Sequence, residues 1–242
     1  MPRPTGSEPV IGSIKARGEL AGVAAAAKDK HYTAEYKFVR DGQSPVTVRV
    51  VRATDGTWRV DIPKGLQGGK VDVTMAWNRT GYYQCVDQDE IVCVNVAGKD
   101  GKVPSAVDPR VQHIFTDWLD VLLKRNAPLA VTKISRIDGA SKDSDCFKLR
   151  RNSVTVSAPL PDSVYCIEPN GTITAVDTTF GTLTLDGELL DASSKITLPG
   201  KTANDKPLGT SPPPKPSPSK SDDKTKDDDA SSSSESADSD DD

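Results

Sequence analysis

Residues 46–62 read VTVRVVRATDGTWRVDI. Val46, Val48 and Val50 alternate with Thr47 and Arg49, Asp55-Gly56 interrupts, and Trp58, Val60 and Ile62 then alternate with Arg59 and Asp61. Successive side chains of a strand point to opposite faces, so this stretch predicts two antiparallel strands with one apolar and one wet face, joined at the Asp-Gly turn. The same rule extends both ways. Upstream, Ala34, Tyr36 and Phe38 alternate with Thr33, Glu35 and Lys37; downstream, Val71, Val73, Met75 and Trp77 alternate with Asp72, Thr74 and Ala76. Asp41-Gly42 and Gly68-Gly69 supply the intervening turns, which gives an antiparallel meander.

The meander continues into GYYQCVDQDEIVCVNV, residues 81–96, where two apolar-rich runs flank the polar turn 87–90. Folding this hairpin sets Cys85 opposite Cys93, and because Val92, Val94 and Val96 share one face, the bridge is expected to clamp the solvent side of the sheet. Cys146 and Cys166 repeat the arrangement at longer range, which predicts a second disulfide. A zinc site would need short cysteine knuckles or nearby histidines, and only His31 and His113 exist, neither at such a spacing. Two disulfides place the chain in an oxidising compartment, so it is expected to be extracytoplasmic, with its leader absent from this chain.

Two helices are expected. Residues 11–30 carry good helix formers, with Ile11, Ile14, Ala21 and Ala25 near helical spacing. After Asp100-Gly101, Asp108 reads as an N-cap with Pro109 at the first helical position, and Val111, Ile114, Phe115, Trp118, Leu119 and Leu122 form an apolar stripe. Strand patterns then return at 146–151, 164–168, 172–177, 182–186 and 196–198. The count is about eleven strands and two principal helices, an α+β chain.

The whole chain is 35% hydrophobic with a net charge of −4, but these averages join two unlike parts. From Pro207 to Asp242 there are 6 Pro, 10 Ser, 10 acidic and 4 basic residues and only three hydrophobics, Leu208, Ala230 and Ala237. Such a stretch has too little to bury to fold. Its −6 leaves +2 on residues 1–206, so the folded part is near neutral and lacks a basic nucleic-acid footprint. The expected organisation is a flexible lead at 1–10, one domain at 11–200 and a Pro/Ser/Asp-rich disordered tail at 201–242. The acidic runs 227–229 and 240–242 read as solubilising. The longest apolar run, Leu20–Ala27, is too short to span a membrane.

No nucleophile elbow, phosphate-binding loop, dinucleotide fingerprint or zinc-protease motif occurs, so no catalytic residue, metal or cofactor is assigned and the chain is expected not to be an enzyme. His113, between Gln112 and Ile114, reads as a boundary histidine, and His31 precedes the first strand. Asp87, Asp89 and Glu90 fit no ordered calcium loop and read as a solvated turn. Asn78-Arg79-Thr80 and Asn170-Gly171-Thr172 read as turn chemistry.

The order of elements, with HYTAEYKF, VTVRVVRATDGTWRVDIP, the hairpin from GYYQC to VCVNV, an amphipathic helix, VYCIEPNGTITAV and a closing SKITLP, resembles the LolA/LolB-type lipoprotein-carrier superfamily. Within it, the chain is similar to the lipid-binding cell-envelope lipoproteins of actinobacteria and mycobacteria, over about residues 8–200. The resemblance implies an unclosed antiparallel half-barrel of about eleven strands wrapped around two or more helices, whose apolar cavity holds the acyl chains of a lipid or lipopeptide, and no catalysis. The positions that would line that cavity are Tyr36, Phe38, Trp58, Val60, Met75 and Trp77 from the sheet and Ile114, Trp118 and Leu122 from the helix. Lipoproteins of this group begin on an acylated cysteine, and none precedes Cys85 here, so peripheral membrane association would require an anchor ahead of residue 1. The alternative expectation is an envelope structural or sensory module with a filled core that contacts another envelope protein or a wall polymer.

Overall fold

The structure, a computed structural model, describes residues 8–87, 89–151 and 160–212, with side chains from residue 13 onward. It is α+β. A helix, α1 (Glu8–Asp29), leads into a six-strand meander: β1 (Tyr32–Val39), β2 (Val46–Arg52), β3 (Trp58–Leu66), β4 (Val71–Asn78), β5 (Gly81–Asp87) and β6 (Ile91–Gly98). Two 3₁₀ turns, Ser105–Val107 and Val111–Phe115, precede α2 (Asp117–Leu123). A second meander follows, with β7 (Leu129–Ile134), β8 (Asp145–Arg151), β9 (Ser163–Ile167), β10 (Ile173–Thr178) and β11 (Gly181–Leu190), and a short β12 (Lys201–Ala203) is the last described strand. Among the described residues no helix is long and apolar enough to cross a membrane.

All twelve strands form one unclosed sheet in the order β12-β6-β5-β4-β3-β2-β1-β11-β10-β9-β8-β7. The two meanders are joined through the antiparallel pair β1–β11, where Tyr36 faces Leu185 and Phe38 faces Leu183. Only β12 is parallel to its neighbour, setting Thr202 beside Cys93. The alternation of residues 46–62 survives intact: Val48, Val50, Val60 and Ile62 are buried, Val60 lies opposite Met75, and Trp58 lies opposite Trp77. This apolar face shares one core with Leu20, Ala24 and Ala27 of α1 and with Leu119 and Leu122 of α2.

Several expectations change. Residues 196–198 are not a strand; the strand lies at 201–203, because the segment 191–200 crosses the outer face of the sheet before pairing with β6. The amides of Thr54 and Asp55 donate to the carbonyls of Ser193 and Ser194 at 3.0 and 3.1 Å, which anchors the start of this strap on the β2–β3 turn. Ordered structure therefore runs past residue 200. The Leu208 amide donates to Gln84 Oε1 at 2.7 Å, and Gln84 Nε2 returns a bond to the Leu208 carbonyl at 2.9 Å, so 201–212 belongs to the folded part. Residues 213–242 and 1–7 lie outside the described residues.

The helix read over 108–122 is also broken. Asp108 accepts from the Arg110 amide at 2.9 Å and from Gln112 Nε2 at 2.6 Å, which holds Arg110 in the left-handed region at φ 70 and prevents Pro109 from starting a helix. The α-helix begins only after Thr116, yet Val111, Ile114, Phe115, Trp118, Leu119 and Leu122 are all buried as their spacing predicts. In α1 the buried residues are Ala16, Leu20, Ala21, Ala24 and Ala27, while Ile14 is 67% exposed, so of the expected positions Ala21 is buried and Ile14 is not. The small alanine side chains let the helix backbone sit close to the β9–β10 turn: a Cβ on Gly171, at φ +85, would lie 2.3 Å from the Ala26 carbonyl carbon. Arg52 secures the same helix end, donating to the carbonyls of Ala27 at 2.8 Å and Lys28 at 2.6 Å.

Both disulfides form between directly opposed residues, Cys85–Cys93 across β5–β6 and Cys146–Cys166 across β8–β9, and no described cysteine is free. They lie on the outer face, as expected for the first, but not in solvent: all four cysteines are at most 2% exposed. Cys146 and Cys166 are packed under Ile137 and Ala140 of the β7–β8 loop, and Cys93 lies beside β12 at the end of the strap.

Candidate functional site: the apolar interior and its polar cleft

The nine residues nominated as cavity lining are brought together by the fold. Tyr36 and Phe38 come from β1, Trp58 and Val60 from β3, Met75 and Trp77 from β4, Ile114 from the second 3₁₀ turn, and Trp118 and Leu122 from α2; all belong to one continuous core. Eight are buried and Trp77 is half-buried. They meet one another and their neighbours at packing distance. The rings of Tyr36 and Phe115 are 4.8 Å apart, and Tyr82 sits 6.0 Å from Trp58 and 6.4 Å from Trp77. Tyr36 donates its hydroxyl to the Ile173 carbonyl at 2.9 Å, and Trp77 Nε1 donates to the Lys99 carbonyl at 3.1 Å.

Four buried side-chain atoms have no hydrogen-bond partner among the described residues: Arg40 Nε, Gln112 Oε1, Ser163 Oγ and the Tyr165 hydroxyl. Tyr165, on β9 and fully buried, points its hydroxyl at nothing that hydrogen-bonds to it among the described residues. Burial pushes this phenol far above its ordinary pKa, so it stays a neutral donor. Leaving a buried hydroxyl unpaired costs about 1–3 kcal/mol.

Trp118, one of the nine, borders an open cleft of about 570 Å³ walled also by Gly65, Ser105, Asp108, Pro109, Arg110, His113 and Thr210. His113 lines this cleft, where sequence reasoning treated it only as a boundary residue. Its Nε2 lies 2.8 Å from Asp108 Oδ2, its Nδ1 lies 2.5 Å from Asp117 Oδ1, and its ring stacks on Trp118 at 5.5 Å. Burial opposes the charge on His113, but the two carboxylates outweigh it and raise the pKa to about 9, so the imidazolium is the form present at neutral pH. Burial likewise opposes ionisation of Asp108, yet the bonds from His113, Gln112 and the Arg110 amide hold it below the ordinary carboxylate range. With both ring nitrogens donating, His113 has no lone pair to act as a base. Beside it the Arg110 guanidinium lies over the Phe180 ring at 4.9 Å. The only signal in the sequence for this cluster was the spacing Asp108, His113, Asp117.

The two Asn-x-Thr triplets are Asx turns: Asn78 Oδ1 accepts from the Thr80 amide at 2.9 Å and Asn170 Oδ1 from the Thr172 amide at 2.8 Å. At the β5–β6 tip, Glu90 lies 3.8 Å from Lys201. Compared with known proteins, the chain matches no family model and no curated protein.

Proposed function

We propose that this chain is a non-enzymatic extracytoplasmic protein that binds an amphiphile, a lipid or lipopeptide, by taking its acyl chain into the space between a half-barrel curled around its helices and the helices themselves. The observation that carries the reading is the buried Tyr165 hydroxyl, a neutral donor without a partner among the described residues inside an apolar interior bounded by an unclosed sheet. An ester or carboxyl oxygen of a seated ligand would satisfy that donor while its chain replaced apolar contacts. The two disulfides favour export, and the arrangement of elements supports kinship with the LolA/LolB-type carriers.

Protein purified from its own host should release an amphiphile on organic extraction, and native mass spectrometry should show the same mass bound. Tyr165→Phe should weaken uptake of a fluorescent fatty acid without lowering stability, since it removes the orphaned hydroxyl and keeps the ring. The reading fails if no amphiphile co-purifies and none is taken up.

A second reading, an envelope module with a filled core that engages a protein or wall polymer, is favoured by the mutual packing of the nine nominated residues. Ala34→Phe separates the two. Ala34 is buried on β1 in the same core, and overpacking a filled interior should cost about 1–3 kcal/mol, whereas a space that admits a chain should accept the ring.

A further inference from the structure

The outer face of β1–β3 carries a second concavity, unrelated to the interior. The strap 191–200 passes over this face, and between them lies a pocket of about 220 Å³ lined by Thr33, Arg49, Val51, Arg59, Asp61, Ser193, Lys195, Ile196 and Thr197. Its charges are three cations and one carboxylate. That carboxylate is already engaged: Asp61 Oδ1 accepts from Arg59 Nε at 2.7 Å and from Thr74 Oγ1 at 2.6 Å. The same bond fixes the Arg59 guanidinium in place, while its two terminal nitrogens have no partner among the described residues. Arg49 and Lys195 form no ion pair among the described residues. Glu35, opposite Arg49 in the β1–β2 register, is exposed and does not line the pocket.

We propose that this pocket is a binding site for a phosphate group. A net charge of +2 within the lining matches a dianion, and the two arginines offer planar forks suited to tetrahedral oxyanions. The hydroxyls of Thr33, Ser193 and Thr197 add neutral donors around the same space. The wall opposite the sheet is pre-set: Ser193 and Ser194 are bonded to the β2–β3 turn, and the Ile196 amide donates to Thr57 Oγ1 at 3.1 Å. A ligand therefore meets an ordered Lys195 segment without having to organise it. Across the sheet Arg49 lies between Glu35 and Asp61 in register, so the excess of positive charge belongs to the pocket lining, where Arg59 and Lys195 join Arg49 beneath the strap.

Calorimetric titration of the full chain with inorganic phosphate at low ionic strength should show saturable one-to-one binding. Arg49→Gln and Lys195→Gln, both exposed and away from the core, should each weaken it by about tenfold or more, because each removes a charge-assisted bond to the ion. Lys148→Gln, on the outer face of β8, should leave it unchanged. A parallel titration with a short glycerol-phosphate oligomer identifies the source: tighter binding than free phosphate marks a phosphodiester polymer, equal or weaker binding marks the free ion. Absence of saturable binding to either probe overturns the proposal, as does a loss of the same size from Lys148→Gln, which would reduce the effect to general surface charge.

Discussion

On the inner face of the sheet, Tyr36, Phe38, Val60 and Met75 are buried by other periodic elements, strands and helices whose apolar residues recur at fixed intervals. On the outer face, Cys85, Cys93, Cys146 and Cys166 are as deeply buried, but the segments lying there, 191–200 and the β7–β8 loop, have no period. The inner face is held by area removed from water, which depends on total apolar volume. The outer face is held by covalent links and a few hydrogen bonds at defined points, such as Ser144 Oγ to Thr174 Oγ1 at 2.6 Å and Ile196 to Thr57. One face should therefore respond to loss of volume and the other to loss of particular links.

The largest effect is expected at Phe115, which is fully buried and packs on Tyr36. Phe115→Ala should cost about 3–5 kcal/mol in chemical unfolding, through lost burial and the cavity left behind. A much smaller loss would mean that the interior closes up around the gap, and would weaken the contrast between a volume-dependent face and a link-dependent one.

Breaking the outer face means breaking its bridges. In the chain-entropy account a disulfide's contribution grows with the loop that it closes. The sequence separations are 8 for Cys85–Cys93 and 20 for Cys146–Cys166. Paired replacement by alanine should then cost about 2.5 kcal/mol for the first and about 3 kcal/mol for the second. Unfolding of the two double variants, compared with fully reduced native protein, measures both; a larger loss at 85–93 would show that anchoring of β12 and the strap depends on that bridge.

The inner face was legible because alternation needs no partner to be recognised: Val48, Val50, Val60 and Ile62 point inward wherever the sheet curls. The stripe from Val111 to Leu122 was legible for the same reason, although its helix was not. The break there comes from Asp108, whose carboxylate captures Arg110, Gln112 and His113 at once. No periodicity announces such capture. β7 had a short signal in Leu129 and Val131, both buried, whereas Lys-Thr-Ala at 201–203 has none: β12 exists because the edge of β6 offers unpaired backbone groups where the strap arrives. The orphaned Tyr165 hydroxyl could not be read from sequence either, since its burial followed from the strand pattern but its lack of a partner depends on every neighbour at once.

The smallest of these effects is expected where the two kinds of burial meet, at His113, which stacks on the core residue Trp118 yet is held by two carboxylates. Its folded pKa of about 9 exceeds the ordinary 6.5, so the protonated ring is bound more tightly by the folded chain than by the unfolded one. The stability that this confers is fully present below about pH 6.5 and is lost as pH rises through 9. Linkage over that interval gives a fall of about 2 kcal/mol between pH 6 and pH 8, the upper part of the loss following by pH 9. Urea unfolding across this range should show the fall in the parent chain and a nearly flat profile in His113→Gln, which keeps a donor toward Asp108 without titrating. A flat profile in the parent would mean that Asp108 and Asp117 do not hold the imidazolium, and the cleft would then be built by the packing of Trp118 alone.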